Sequence, residues 1–299
     1  MPRQLERFVT LVSGFGWHVH DLLRAAEALD VELHAVEFSR LVGAVGLPVR
    51  KIEAGKIALA EADGILVRMM PPGSLEQVVY RMDALHRLEK ERVPILNPPR
   101  AVEAAVDKYL ALVMMERDGL PVPPTVVAES ASGALAAFEA LGGDVVLKPL
   151  FGSEGRGLVR LSERELAVRA FHAVERLGSV LYVQKVIAHD GFDYRAFVLG
   201  GRVLGAIRRF APPGEWRTNV SVGGRPEACA LERPLAELAV RAARSVGAEM
   251  AGVDILIDRT SDAPVVLEVN AVPGWRALGK ATGIDVAASL LDHLRGLRR

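Results

Sequence analysis

Two segments near the C-terminus set acids among apolar residues: Gly252-Val253-Asp254-Ile255-Leu256-Ile257 and Val265-Val266-Leu267-Glu268-Val269-Asn270. Side chains alternate faces along a strand. Glu268 and Asn270 therefore share one face, and Val265, Leu267 and Val269 take the other. If the two strands pair, Asp254, Glu268 and Asn270 converge. Two carboxylates about 4 Å apart repel by roughly 4 kcal/mol at an effective dielectric near 20, and a dication turns that repulsion into binding. Hard oxygen donors without His or Cys suit magnesium held together with phosphates. The plain alternative is a pair of edge strands whose acids face water.

The loop Gly152-Ser153-Glu154-Gly155-Arg156-Gly157 is the second feature. Its glycines allow positive φ and close backbone approach, which lets amides surround a phosphate. A Walker loop would open a helix and end in Gly-Lys-Ser/Thr. Here Leu158-Val159-Arg160-Leu161 reads as a strand, so the loop joins two strands, as a flap over a ligand or an ordinary hairpin would. Lys148 ends the strand before it and could hold a phosphate as a point charge. Lys108 taken alone is a helix-surface lysine. Arg195, Arg208, Arg209, Arg217 and Asn219 cluster further on, and arginines beside metal ligands suit a polyphosphate that gains negative charge. No His-Glu-x-x-His or Gly-x-Ser-x-Gly pattern occurs.

The elements that must carry these groups alternate. Residues 1–98 read strand, helix, strand, strand, helix, strand, which implies a parallel α/β sheet closed by Pro98-Pro99. Residues 99–187 begin with a helix broken near Asp107 and ended by Gly119. They continue as two strand–helix units with the Gly-rich flap, then a strand from Val180 into the connector Gln184 to Ile187. Residues 188–299 hold strands near 194–199, 202–207, 252–257 and 265–269, with helices near 234–247 and 283–297. The expected class is α/β and α+β, with two α+β lobes after a Rossmann-like domain.

Bulk numbers exclude several classes. The 299 residues carry 37 Lys plus Arg and 37 Asp plus Glu, so a polyanion such as nucleic acid is not an expected partner. No run of 18 apolar residues marks a membrane span. One cysteine, Cys229, excludes an intrachain disulfide and fits a reduced cytoplasmic setting, with its thiol expected to be buried.

Taken in order, Val106-Asp107-Lys108-Tyr109, Val146-Leu147-Lys148-Pro149 with its Gly loop, Tyr182-Val183-Gln184-Lys185-Val186-Ile187, Gly191-Phe192-Asp193-Tyr194-Arg195, Arg217-Thr218-Asn219, Ala251 to Leu256 and Leu267 to Gly274 resemble the ATP-grasp ligases, and within them the RimK-like amino-acid ligases. The resemblance spans about the whole chain. It implies an ATP-grasp fold with a pre-ATP-grasp domain and two lobes that clamp ATP. It implies that Lys108 and Lys148 contact ATP phosphates and that Gly152, Ser153, Gly155 and Gly157 belong to a closing flap. It further implies that Gln184, Lys185, Val186 and Ile187 bind adenine through their backbone and that Asp193 meets the ribose. Arg209 and Arg217, with Asn219, would act on the phosphates, and Asp254, Glu268 and Asn270 would hold two magnesium ions, with manganese as a substitute. Lys185 stands where the family commonly has Glu, which puts a side-chain role there in doubt.

The implied chemistry is formation of an acylphosphate from a carboxylate and ATP, followed by attack of an amine. The block Arg68-Met69-Met70-Pro71-Pro72-Gly73-Ser74-Leu75-Glu76-Gln77 is similar to the tetrahydromethanopterin:α-L-glutamate ligase branch. L-glutamate and a small C1-carrier coenzyme, tetrahydromethanopterin- or methanofuran-like, are then the expected substrates. The alternatives are a ribosomal protein C-terminus as acceptor and a non-catalytic nucleotide-binding partner. Trp17 and His18 could contact a ring-bearing acceptor, and Arg68 and Arg195 could hold carboxylates of the acceptor or of glutamate. Family likeness also implies a homo-oligomer, dimer or tetramer.

Overall fold

The computed structural model describes residues 5–47, 51–152 and 155–297. Ser153, expected in the flap, lies outside them. The first hundred residues contain β1 (Arg7–Val12), α1 (Trp17–Ala28), β2 (Glu32–Glu37), β3 (Leu41–Gly43), β4 (Ile52–Ala54), β5 (Ile57–Ala58), β6 (Gly64–Val67), α2 (Leu75–Lys90) and β7 (Ile95–Leu96). The main sheet has the order β2-β1-β6-β7 and is parallel throughout. β1, β6 and β7 read as near-continuous apolar runs because helices cover both faces, whereas the edge strand β2 alternates. β3, β4 and β5 form a small antiparallel sheet that periodicity did not reveal, since three- and two-residue strands are too short to show a period.

Next come α3 (Pro99–Val106), α4 (Lys108–Arg117), β8 (Thr125–Ala128), α5 (Ala131–Ala140), β9 (Val145–Lys148), β10 (Val159–Leu161), α6 (Arg164–Arg176) and β11 (Leu181–Lys185). The break at Asp107 has a local cause. Its carboxylate accepts from the Tyr109 and Leu110 amides at 2.9 and 3.0 Å, so it caps α4 and leaves Lys108 as the first helical residue. The antiparallel sheet runs β10-β9-β11-β8. β11 extends through Lys185, so Gln184 and Lys185 are ladder residues rather than a free connector.

The remainder contains β12 (Phe192–Leu199), β13 (Arg202–Phe210), β14 (Arg225–Cys229), α7 (Arg233–Ser245), β15 (Met250–Asp258), β16 (Ala263–Asn270), α8 (Arg276–Thr282) and α9 (Val286–Gly296). Five strands order as β14-β13-β12-β15-β16. Cys229, expected to be buried, is half-buried at the end of β14.

Three packing relationships position the site. α3 and α4 bury Ala101, Ala105, Leu112 and Met115 against the five-stranded sheet and α7. α8 and α9 return to the first sheet, where Trp275, Leu278, Leu290 and Leu294 share a core with Phe8, Leu22 and Leu66. At the joint, fully buried Asn97 donates to the Met250 and Ala271 carbonyls at 2.6 Å each and accepts from the Met250 amide at 2.8 Å. This side chain clips the end of the first sheet to the strand and loop that flank the acidic residues.

Candidate active site

β15 and β16 pair antiparallel with Asp254 opposite Glu268 and Gly252 opposite Asn270. The alternation inferred from sequence thus brings all three to one face. On the other side of β15, Arg195 lies opposite Asp254, and Asp193 and Arg209 face each other between β12 and β13. One sheet face therefore carries Arg209, Asp193, Arg195, Asp254 and Glu268 in adjacent rows.

The charges are tightly coupled. Arg195 Nη1 donates to both Asp254 oxygens at 2.9 and 3.1 Å. Arg209 Nη2 is 2.9 Å from Asp254 Oδ2, and Arg209 also makes a bidentate pair with Asp193, its Nε to Oδ1 at 2.8 Å. Burial alone would lower the Arg209 pKa, but attraction from Asp254 and Asp193 outweighs it and holds the guanidinium charged. Both Asp193 oxygens are engaged by Arg209, so its carboxylate orients that arginine and keeps further acceptor sites. Asn270 Oδ1 accepts from the Val272 amide at 2.8 Å. Glu268 makes no direct hydrogen bond or ion pair with the described residues, although Lys108 and Lys148 lie within its field.

Across from this face, the antiparallel sheet supplies the lysines. Lys108 Nζ donates to the Gly152 and Leu150 carbonyls at 2.7 and 3.3 Å, which ties the helix lysine to the base of the flap. Burial lowers its pKa, and Glu268 partly offsets that. Lys148 lies opposite Tyr182 in the ladder, and its Nζ donates to Gln184 Oε1 at 2.6 Å. Burial pushes it down to about 8, against the pull of Glu268. Gln184 in turn donates to Thr125 Oγ1 at 2.9 Å and to the Tyr182 hydroxyl at 3.2 Å, so its amide is fully used inside the lobe.

A cleft of about 460 Å³ separates the two sheets, lined by Lys108, Lys148, Gly152, Gly155, Gln184 to Ile187, Asp193, Arg209, Arg217, Asn219, Asp254 and Glu268. Gly155 (φ 71°) sits where a Cβ would lie 2.7 Å from Asn219 Oδ1, so flap and Asn219 meet only through glycine. Arg217 pairs with Glu215 at 2.7 Å and reaches toward the Gly155 carbonyl, and its hydrogen bonds hold Glu215 down to about 2. At the end of β11, the Lys185 and Val186 amides bond the Pro124 and Asp144 carbonyls. The Ile187 amide makes no backbone hydrogen bond with the described residues.

The donor set fits magnesium in its chemistry: two carboxylates and an amide oxygen share one face of a cleft that Lys108, Lys148 and Arg209 also line. Its readiness is uneven. Glu268 is open, whereas Asp254 must trade its arginines, and Asn270 its loop amide, to bind a cation. Among the described residues there is no ready cluster of three His, Cys, Asp or Glu ligands.

A sequence profile of the RimK-like ATP-grasp domain matches residues 105–294. The chain belongs to the RimK-like ATP-grasp family. A tetrahydromethanopterin:α-L-glutamate ligase of Methanosarcina acetivorans is 34% identical over 94% of this chain and 96% of its own. One from Methanocaldococcus jannaschii is 33% identical over 92% and 94%. Among solved structures, the ATP-grasp ligase PsnB complexed with a minimal precursor aligns with a TM-score of 0.78 at 21% identity, covering 98% of this chain and 99% of that one. A RimK-domain ATP-grasp protein of Sphaerobacter thermophilus aligns at 0.74 with 22% identity, covering 96% and 99%. The ATP-grasp fold expected from the motifs is therefore the fold observed.

Of the residues expected to meet substrate, Trp17, His18 and Arg68 do not line the cleft. Arg68 follows β6 and is almost wholly buried, with its guanidinium 4.7 Å above the Trp275 ring. His18 packs edge-on against Trp275 and Trp17. Arg195 lies between the two regions. Sequence reasoning missed Trp275, Glu215, Asn97 and the Tyr182–Gln184–Thr125 support of Lys148. Trp275 is one of only three tryptophans and directly follows the block ending at Gly274, which was its sole signal.

Proposed function

We propose that this chain is an ATP-dependent, ADP-forming C–N ligase that joins L-glutamate to a small C1-carrier coenzyme of the tetrahydromethanopterin type. The observation that carries the chemistry is the cleft in which Lys108 and Lys148 face Glu268 and Asp254 beneath a glycine flap. The relatives' coverage of nearly the full chain supports the acceptor class.

Lys108 and Lys148 bind the ATP phosphates, the backbone near Ile187 takes adenine, and the flap closes over both. Asp254, Glu268 and Asn270 would hold two magnesium ions, which would supply charge neutralisation. A carboxylate oxygen attacks the γ-phosphorus, the bond to ADP breaks, and an acylphosphate forms. The amine then attacks the acyl carbon. Phosphate departs with the former carboxylate oxygen, and the amine proton passes to solvent. Arg209, aimed by Asp193, and Arg217, aimed by Glu215, stabilise charge on the transferring group. The closed flap keeps water from the acylphosphate. No side-chain nucleophile is required.

The cytoplasm is the proposed setting, and among the described residues no helix is long and apolar enough to cross a membrane. A homo-oligomer is the proposed assembly. The test is ADP release with ATP, magnesium and L-glutamate, adding each acceptor in turn. Release that depends on a pterin or furan coenzyme, with a product heavier by one glutamyl residue, supports the proposal. Glutamylation of a peptide tail alone would move the assignment to a protein acceptor.

A further inference from the structure

In an open parallel sheet, ligands sit at the carboxyl ends of strands where the strand order reverses. In the order β2-β1-β6-β7 the chain leaves β1 in one direction to β2 and builds β6 on its other side. The reversal therefore falls between β1 and β6. Arg68 is the first residue after β6, and its amide bonds the Leu11 carbonyl at 2.9 Å. Trp17 and His18 begin the helix that follows β1. The residues nearest the reversal are thus an arginine and an aromatic pair.

Arg68 has only 4% of its surface exposed, and its Nε and Nη1 have no hydrogen-bond partner among the described residues. No carboxylate there pairs with it. A buried, uncompensated guanidinium costs free energy that a fold keeps only for a purpose. Its planar N–H groups match a carboxylate. The surroundings are built rather than accidental. Trp275 lies under the guanidinium, and its indole N–H donates to Asp21 at 2.8 Å. The Trp275 amide donates to His18 Nε2 at 3.2 Å, which places the proton of the neutral imidazole on Nδ1 as a further donor.

This cluster also neighbours the cleft through Arg195 and the loop after β16. A Cβ on Gly252 would lie 2.8 Å from Arg195 Nη2 and 2.9 Å from Pro273, so Arg195 and Pro273 meet over that glycine. Trp275 is two residues beyond Pro273, a chain reach of about 7 Å. Arg195, which bonds Asp254 in the cleft, and the Arg68–Trp275 pair are thus joined through the short segment after β16.

Resting on the ligase reading, we propose that Arg68, with His18 and Trp275, is the receptor for a second, non-reacting carboxylate of a substrate, and that it makes the enzyme select a dicarboxylic partner. The carboxylate belongs to either glutamate or the acceptor, and the kinetics distinguish them. In the full-length enzyme, Arg68→Met raises KM for one of these two substrates at least tenfold while KM for ATP stays within twofold. The substrate affected is the one seated there. The same variant melts higher than wild type without substrate, because removing an unpaired buried charge stabilises the fold, whereas a structural arginine would lower Tm on removal. KM values within twofold for both substrates overturn the proposal whatever Tm does. If no acceptor supports ADP release, the ligase reading fails on its own, and glutarate then tests the receptor. Protection of wild type but not Arg68→Met against thermal unfolding upholds it, and equal or absent protection of both overturns it.

Discussion

Lys148 Nζ donates to Gln184 Oε1 at 2.6 Å, and Gln184 is itself anchored by Thr125 and Tyr182. A lysine aimed into the cleft is thereby held by a neutral amide, not by an acid. Its charge awaits a partner of opposite sign. Burial lowers its pKa to about 8, below the ordinary lysine value. Near pH 8 about half of the free protein carries it neutral. Bound polyphosphate favours the charged form, so ATP binding takes up protons. Calorimetry in buffers of different ionisation enthalpy at pH 8 should show buffer-dependent heats, and ATP affinity should fall as pH rises through that value. Because the folded pKa is depressed, the unfolded chain binds more protons above pH 8. This group's contribution therefore makes the free protein more stable as pH rises from about 8 toward the ordinary lysine range.

Among the described residues that line the cleft, Glu268 is the one acid without a hydrogen bond or ion pair. Glu268→Ala should lose ADP formation by a hundredfold or more at any magnesium concentration while Tm moves little, since no hydrogen bond or ion pair to the described residues is broken. Chelating magnesium from the wild type should abolish turnover and leave the far-ultraviolet circular dichroism unchanged, and magnesium should restore it. Near-normal turnover in Glu268→Ala would refute the metal role.

Arg209 holds two buried carboxylates, Asp193 and Asp254. Removing one partner of a buried ion pair costs on the order of 3–5 kcal/mol. Arg209→Ala should therefore lower both activity and the urea midpoint, and Asp193→Asn should lower kcat more than it raises KM for ATP if Asp193 aims the arginine. A selective rise in KM for ATP in Asp193→Asn would instead return it to the ribose.

Asn97 satisfies two buried carbonyls and one amide across the joint. Asn97→Ala orphans all three, at about 1–3 kcal/mol for each buried group left unpaired. Urea unfolding should show a loss of at least 2 kcal/mol, and activity should fall with it because Ala271 adjoins Asn270.

The convergence of Asp254, Glu268 and Asn270 was legible because strand periodicity is a property of the backbone. So was the break at Asp107, whose side chain caps the helix it starts. The bulge after Asp254 and the arginines that engage its carboxylate were not legible, because they depend on the register between β12, β13 and β15. Trp275 was missed for a related reason. Its partners His18 and Asp21 lie 257 and 254 residues away, and only the return of α8 and α9 onto the first sheet brings them together.

The central claim is that a carboxylate is activated by ATP as an acylphosphate. It is tested most directly by using an acceptor whose carboxylate oxygens carry a heavy oxygen isotope and measuring the released phosphate and nucleotide by mass spectrometry. The account predicts one labelled oxygen in inorganic phosphate and none in ADP. Label appearing in AMP, or unlabelled phosphate accompanying amide formation, would contradict it.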